Sequence, residues 1–247
     1  MLNEPTLDKL KELRLGAFAD AWLVQQADPE SASLGFDERL GLLVDAEWSA
    51  RHNKRLARNL REAKLKFPNA CIEDVDFPPR RQLDKTAVRQ LATCKWIENH
   101  QSIVITGATG VGKTFLACAL AQHAIRKNYR AAYRRLSRLF DELALARADG
   151  SYVRLLAQLA RTDVLVLDDW GMTPVREAER RDLNEIMEDR WGNRSTIVTS
   201  QIPVAKWHDH IGDPTTADAV CDRILNNAQR IVLKGPSRRK QDDGDDT

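Results

Sequence analysis

Residues 107–114 constrain the fold of this chain more than any other stretch, because they form a glycine-rich loop of defined spacing. The stretch reads GATGVGKT and matches the pattern G-x-x-x-x-G-K-[ST]. An apolar run, SIVIT at 102–106, precedes it, and a helical pattern over 113–128 follows it. This order of strand, loop and helix presents backbone N–H groups and a helix N-terminus to phosphate. The alternative is an ordinary glycine-rich turn, which the flanking strand and helix disfavour.

The motif predicts a site for ATP and Mg²⁺. Lys113 is expected to reach the β- and γ-phosphates, and the Thr114 hydroxyl is expected to ligate the metal. The residues of this stretch that are predicted to bind the nucleotide are Gly107, Ala108, Thr109, Gly110, Val111, Gly112, Lys113, Thr114 and Phe115.

Two further strand ends carry polar residues that suit the same chemistry. Asp168 ends the apolar run at 163–168, and Asp169 follows it directly. Asp168 is predicted to hold Mg²⁺, and Asp169 is predicted to orient and polarise the attacking water. The alternative is that the acid pair caps the next element. A third run, STIVTS at 195–200, leads into Gln201, which either holds the same water or belongs to a simple strand exit.

Apolar runs alternate with helical patterns through the second part of the chain. Strands are predicted at 102–106, 130–135, 163–168, 195–200 and 229–233. Helices are predicted at 113–128, 137–161 with an interruption near Gly150, 176–192 and 216–227. This alternation is typical of a parallel sheet with helices on both faces. The predicted fold class is therefore α/β, a three-layer P-loop architecture with about five parallel strands.

The first part of the chain predicts a small helical domain over 1–67. Apolar residues recur at helical spacing, and a long second pattern begins at Phe36. Prolines at 68, 78 and 79 indicate a linker over 68–85, because proline removes backbone donors. The ATPase domain is expected over 86–240. The acidic tail at 241–247 is expected to be disordered.

Positive charge is concentrated in two stretches although the net charge of the 247 residues is only +2. Residues 51–66 hold seven Lys or Arg and one Glu, and residues 126–138 hold six Lys or Arg and no acid. Either stretch is a solvated face or a contact for the phosphates of double-stranded DNA, bound with little sequence specificity. The candidate DNA-binding residues are Arg51, Lys54, Arg55, Arg58, Arg61, Arg134 and Arg135.

Several other classes of protein are disfavoured by the sequence. No apolar run approaches the length of a transmembrane helix, and the charged N-terminus does not resemble a signal peptide. The four cysteines lie far apart, so free and mostly buried thiols are expected rather than zinc ligands or disulfides. The expectation is a cytoplasmic protein with no membrane partner.

Taken together, these segments resemble the AAA+ ATPases of the IstB/DnaC type, which comprise transposition helpers of insertion sequences and replicative helicase loaders. The resemblance covers most of the chain, including IEDVDF, LVLDDWG, RSTIVTSQIPVAKWHD and DRILNNAQRIVLKGPSRR. The segment around Glu47, Trp48 and Arg51 is closer to the insertion-sequence helpers. The resemblance implies a DNA-stimulated ATPase that forms a homo-oligomeric ring, spiral or filament on DNA and assists a transposase.

Family roles carry over to three further positions. The resemblance implies that Gln201 is the first sensor, that Arg223 is an arginine finger for a neighbouring subunit, and that Arg239 is a second sensor in cis. The chain departs from the family pattern in having Asp169 for Glu and Gln201 for Asn. Pro236 is also unusual, and Arg238 competes with Arg239 for the sensor role.

Two other functions stay open on the sequence alone. A helicase loader shares the ATPase and differs in its protein partner. A DNA-architectural protein, a different class, would bind ATP as a structural ligand and scarcely hydrolyse it.

Overall fold

A five-stranded parallel sheet organises residues 59–238 of the computed structural model, which describes residues 4–238. The strands are β1 (Ser102–Gly107), β2 (Ala131–Arg135), β3 (Val164–Trp170), β4 (Ser195–Ser200) and β5 (Ala228–Leu233). Their order in the sheet is β2-β3-β4-β1-β5. The predicted fold class, including the number of strands, is confirmed.

Helices connect the strands as the hydrophobic periodicity predicts. The helices of the chain are α1 (Glu4–Glu12), α2 (Gly16–Ala27), α3 (Phe36–Ala63), α4 (Lys85–Leu91), α5 (Lys95–Glu98), α6 (Lys113–Arg126), α7 (Leu136–Asp149), α8 (Tyr152–Arg161), α9 (Glu177–Arg190), α10 (Trp207–Ile211) and α11 (Pro214–Leu225). The predicted interruption of the helical stretch 137–161 near Gly150 is confirmed, because Gly150 adopts a left-handed conformation between α7 and α8. The short α4, α5 and α10 have no counterpart in the sequence prediction.

Local sequence explains where several helices begin. The Asp213 carboxylate accepts a hydrogen bond from the Thr216 N–H at 2.8 Å, and Pro214 occupies the first turn of α11. Asp84 caps α4 in the same way through the Thr86 N–H. Such caps satisfy backbone donors that a helix leaves unpaired at its N-terminus.

The chain divides into two compact units, residues 1–58 and 59–247. In the first unit, α1 and α2 precede the long α3, as the helical periodicity predicts. Among the described residues, none of the helices combines the length and apolar character needed to cross a membrane. All four cysteines are free, and only Cys71 is not buried, which confirms the prediction for the thiols.

Residues 68–85, predicted as a linker, carry 3₁₀ helices at Ile72–Asp74 and Pro79–Arg81. Four of their side chains are buried, those of Ala70, Val75, Arg81 and Leu83. This segment is therefore packed into the second unit, where it lines part of the candidate site.

The parallel arrangement gathers the polar strand ends at one edge of the sheet. Thr106 lies opposite Ser200 in the pairing of β1 with β4, and Arg135 lies opposite Asp168 in the pairing of β2 with β3. Ligands of open α/β sheets bind outside the carboxyl ends of the strands. The loop at 107–114 follows β1 at this same edge.

Candidate functional site

The loop at 107–114 has the geometry of a phosphate cradle. Gly112 has a φ of +93° and directly precedes α6, which begins at Lys113. Gly107 approaches β5 so closely that a Cβ there would lie 2.3 Å from the Leu233 carbonyl oxygen. Only glycine permits this close approach. The N-terminus of α6 therefore faces the loop with the positive end of its dipole, as an anion site requires.

Lys113 is held inside the loop. Its side chain is buried, and its ammonium donates hydrogen bonds of 2.8 Å to the carbonyl oxygens of Gly107 and Ala108. These contacts keep the positive charge at the mouth of the cradle. A nucleotide phosphate bound by the loop would meet this charge directly.

Thr114 and Asp168 meet at the foot of the loop. The Thr114 hydroxyl donates to Asp168 Oδ1 at 2.8 Å, and the Asp168 carboxylate is fully buried. Thr199 donates to the same oxygen, while the Tyr133 hydroxyl donates to Oδ2 at 2.6 Å. Burial and the hydrogen bond to Asp168 raise the pKa of Tyr133 far above its usual value, so the phenol stays a donor.

The donor set at this point fits Mg²⁺. A hydroxyl and a carboxylate are hard oxygen ligands, and Mg²⁺ is usually held by one or two such groups together with substrate phosphates. Among residues 4–238, no cluster of three or more His, Cys, Asp or Glu side chains offers an all-protein cage. A metal bound beside Thr114 and Asp168 would therefore depend on the nucleotide for further ligands.

Asp169 occupies a strained position at an irregularity of β3. The register of β3 against β4 shifts between Leu167 and Trp170, and Asp169 has a φ of +62°. Its N–H donates to Thr199 Oγ1 at 3.3 Å, and its carboxylate forms an ion pair with Arg135 Nε at 2.8 Å. Such conformations cost energy and cluster at functional sites. Because of this irregularity, the side chains of Asp168 and Asp169 point in different directions.

Gln201 lies beside the phosphate loop. Thr109 of the loop donates a hydrogen bond from its hydroxyl to Gln201 Oε1 at 2.6 Å. The side chain that follows β4 is thereby joined to the loop that follows β1.

A second positive group lies against the outer side of the loop. Arg81 is buried, and its Nη2 lies 2.8 Å from where a Cβ on Gly112 would be. Arg81 and Arg238 share one carboxylate, that of Asp76, at 2.7 and 2.6 Å. Burial and the nearby Arg238 charge lower the pKa of Arg81 against the raising effect of Asp76. Two guanidinium groups on one carboxylate leave an excess of positive charge, which favours an anionic ligand.

One cavity of about 690 Å³ joins these groups, a volume within the range of small-molecule and cofactor sites. Its lining residues are Lys66, Phe67, Asp74, Thr109, Gly110, Gly112, Lys113, Thr114, Phe115, Arg135, Asp169, Met172, Gln201 and Arg238. Val111 is buried beside the loop. Arg239, expected to be a sensor, lies outside the described residues, as does the acidic tail.

Arg223 lies away from this cavity. It projects from α11 toward α9, where it pairs with Glu188 and donates to Asn184 Oδ1 at 3.3 Å. It lines a different cavity, which includes Ser102 and Thr196 near the starts of their strands. Arg223 and the phosphate loop of the same chain are therefore at opposite edges of the sheet.

The basic residues of α3 in the first unit differ in their surroundings. Arg51 donates to Glu47 Oε1 at 2.6 Å and to the Arg14 carbonyl oxygen at 2.8 Å, so it braces this unit. Lys54, Arg55 and Arg58 are exposed, and the described part of the chain offers them no ion pair. Arg61, in the second unit, is likewise exposed.

The second basic stretch is largely paired with acids. Arg134 is buried and its Nε lies 3.2 Å from Glu142 Oε2, so it offers little surface to a phosphate backbone. Arg126 pairs with Glu73 at 2.9 Å, and Arg135 pairs with Asp169. The structure therefore brings Arg135 to the candidate nucleotide site.

Sequence reasoning misses several residues in and around the candidate site. Tyr133 is visible only as part of a strand, because the sequence does not reveal that β2 lies beside β3. The sequence pattern places Lys66 and Phe67 in a helical domain and Arg81 in a linker. Thr199 lies near the end of β4, two residues before Gln201. Its position in this polar strand end is the sequence feature that could have predicted its contact with Asp168.

Comparison with known proteins identifies relatives over nearly the whole chain. The family described as IstB-like ATP binding protein matches residues 8–245. An insertion sequence ATP-binding protein of Sinorhizobium fredii is 48% identical over 97% of this chain and 98% of its own length. The ATP-binding protein of insertion sequence IS1162 from Pseudomonas fluorescens is 49% identical over 82% of this chain and 88% of its own length.

Solved structures share the fold at lower identity. The DnaC helicase loader has a TM-score of 0.56 at 22% identity, over 67% of this chain and 97% of its own. The replication initiator DnaA bound to AMPPCP and single-stranded DNA has a TM-score of 0.57 at 18% identity, over 72% of this chain and 54% of its own. These likenesses show a common AAA+ P-loop fold.

Proposed function

The chain belongs to the IstB-like ATP-binding proteins associated with insertion sequences, and from that premise we propose that it hydrolyses ATP in an assembly on DNA that assists a transposase. The observation that carries the ATPase proposal is one cavity lined by Lys113, Thr114 and Asp169, with Asp168 beneath it. The phosphate loop, the proposed metal ligands and the proposed base are therefore all within or next to this cavity.

The proposed reaction is in-line attack of water on the γ-phosphate. Mg²⁺, held by Thr114 and Asp168, would neutralise charge on the β- and γ-phosphates. Lys113 stabilises the same oxygens as negative charge develops, and its buried position strengthens this effect. Asp169 orients and polarises the water, with Gln201 as a second polar group on the loop side.

We expect Asp169→Asn to keep nucleotide binding and lose most hydrolysis. The amide preserves size but cannot polarise water, while Asp168 and Thr114 keep their contact. Turnover should fall by roughly 10²–10⁴, the usual contribution of a positioned general base. The measurement is phosphate release at saturating Mg·ATP, with Asp209→Asn on the exposed face of α10 as the matched control.

Wild-type turnover by the Asp169 variant would make this carboxylate a structural group. Loss of ATP binding would place it among the ligands instead. An equally slow wild type would favour the architectural function, in which ATP is only a structural ligand.

The proposal of DNA binding is supported by the exposed charges of α3. Lys54 and Arg58 are spaced four residues apart, so they lie on one helix face with Arg55 beside them. Like charges at this spacing repel, and a phosphate backbone would relieve the repulsion. Arg51 is less suited to this role because it already braces the first unit.

Replacing Lys54, Arg55 and Arg58 together with Ala should weaken DNA binding and reduce its salt dependence. For each phosphate that is no longer neutralised, the log–log slope of affinity against salt should become shallower by about 0.9. The measurement is fluorescence anisotropy of labelled duplexes over a range of salt concentrations. Two unrelated duplex sequences should respond alike, because phosphate contacts carry no base information.

The control for charge alone is the triple variant Arg89→Ala, Lys95→Ala and Lys206→Ala, since these residues are also exposed and basic. It should leave the slope unchanged. An unchanged slope in the Lys54, Arg55 and Arg58 variant would return this face to the role of a solvated surface.

Stimulation of hydrolysis by DNA has a physical basis in the ion pair of Arg135 with Asp169. The guanidinium is 45% exposed and the carboxylate 19%, so a DNA phosphate is able to approach Arg135. A phosphate that binds Arg135 would weaken its hold on Asp169 and free this carboxylate to act on water.

A further inference from the structure

Lys66 brings a positive charge to the acid that is expected to hold Mg²⁺. Its Nζ lies 4.0 Å from Asp168 Oδ2, on the side of the carboxylate that also accepts the Tyr133 hydroxyl. Burying a carboxylate charge is costly unless the group is hydrogen-bonded or paired, and Lys66 contributes an ion pair beside the hydroxyl donors.

The neighbours of Lys66 in the sequence are packed, while its own side chain is partly exposed. The main-chain groups of Phe67 and Lys66 lie close enough to the Cys118 thiol on α6 to oppose the effect of burial on its pKa. The Phe67 ring packs against Phe115, with centroids 6.1 Å apart, and Leu65 is buried. The Lys66 side chain is 40% exposed and lines the nucleotide cavity. A residue with packed neighbours thus presents a partly exposed charged group to the proposed metal site.

Other nearby groups do not compete for this role. Burial raises the pKa of the Cys118 thiol to about 11, so it stays neutral. Arg135 is engaged with Asp169, and Lys113 with the loop carbonyl oxygens. Lys66 is therefore the cation in a position to exchange with a metal at Asp168.

We propose that Lys66 is the resident counter-ion of Asp168 and that Mg²⁺ binding with ATP displaces it. This inference rests on the proposed ATPase site and adds a regulatory residue to it. Lys66 at Oδ2 and a metal beside Thr114 at Oδ1 would share the single charge of one carboxylate and repel each other. Lys66 consequently raises the Mg²⁺ concentration at which the nucleotide site fills.

The test is a Mg²⁺ titration of the binding of a fluorescent ATP analogue to the full chain. Lys66→Ala should lower the half-saturating Mg²⁺ concentration about 1.5- to fivefold, the range expected of a partly exposed ion pair. Lys66→Arg should stay near the wild type because it keeps the charge. Lys64→Ala, an exposed lysine two residues earlier, is the matched control and should leave the midpoint unchanged.

A second measurement follows stability rather than nucleotide binding. Thermal unfolding of Lys66→Ala without ligands should show a lower melting temperature than the wild type, and adding Mg²⁺ at a fixed ATP concentration should raise it more in the variant. Adding Asp168→Asn to Lys66→Ala should remove this response to Mg²⁺, because the shared carboxylate charge is gone.

The possible outcomes distinguish failure of the counter-ion role from failure of the proposed ATPase site. An unchanged or higher Mg²⁺ midpoint in Lys66→Ala, with normal wild-type binding, overturns the counter-ion role of Lys66. Absence of Mg²⁺-dependent ATP binding in the wild type itself overturns the proposed ATPase site.

Discussion

Lys113→Ala should abolish ATP binding at concentrations that saturate the wild type. The buried ammonium is the main positive charge within the loop, and each charge-assisted hydrogen bond it makes to phosphate contributes about 1.5–3 kcal/mol. Two such bonds correspond to a loss of affinity of about 10²-fold or more. The measurement is equilibrium binding of a fluorescent ATP analogue in the presence of Mg²⁺.

The variant must be shown to be folded, because Lys113 also bonds to Gly107 and Ala108. A circular dichroism spectrum and a single cooperative melt serve this purpose. Lys95→Ala removes an equal charge from the exposed surface and should bind ATP normally. Normal ATP affinity in folded Lys113→Ala would contradict the site assignment.

We propose that Arg223 acts as an arginine finger on the nucleotide of a neighbouring subunit. Arg223→Ala should then keep ATP binding and lose hydrolysis by about 10³–10⁵, the contribution that arginine fingers make in P-loop enzymes. Arg223 and the cavity of its own chain are at opposite edges of the sheet. A contribution to catalysis therefore requires a second copy of the chain. The guanidinium is 21% exposed, so it retains a face that a neighbouring subunit can meet.

The pair with Glu188 suggests a purely structural alternative, in which Arg223 only joins α11 to α9. Glu188→Gln distinguishes the two roles. It removes the pair and should leave turnover nearly intact if Arg223 acts on a neighbour's nucleotide. Arg230→Ala, an exposed arginine on β5, is the control for loss of charge.

Mixing gives a sharper test of action between subunits. Lys113→Ala and Arg223→Ala each lack a different half of the shared site, so a mixed interface rebuilds one intact site. Partial recovery of turnover on mixing is expected. Full activity of Arg223→Ala alone, at concentrations too low for self-association, would contradict the role.

The chemistry of the loop is predictable because it depends on local order along the chain. Spacing alone determines that Lys113 and Thr114 follow the glycines at the start of α6. The ends of β3 and β4 are predictable for the same reason, since parallel strands of one sheet expose their carboxyl ends together. Local order is therefore sufficient to predict that Asp168 and Gln201 lie near the loop.

Contacts that depend on which strands are neighbours are not predictable in this way. Tyr133 reaches Asp168 only because β2 pairs with β3, and hydrophobic runs of similar length do not specify that order. The shift of register at Asp169 is likewise a property of pairing, and it decides which way each acid points. Charge density along the sequence likewise does not reveal that Arg134 pairs with Glu142 and Arg135 with Asp169.

We propose that this chain couples ATP hydrolysis to the binding of DNA. The most direct test is the rate of phosphate release by the wild-type protein at saturating Mg·ATP, with and without double-stranded DNA. We expect Mg²⁺-dependent turnover that rises on addition of DNA and is lost in Asp169→Asn. Absence of turnover under both conditions, with ATP and DNA both bound, would contradict it.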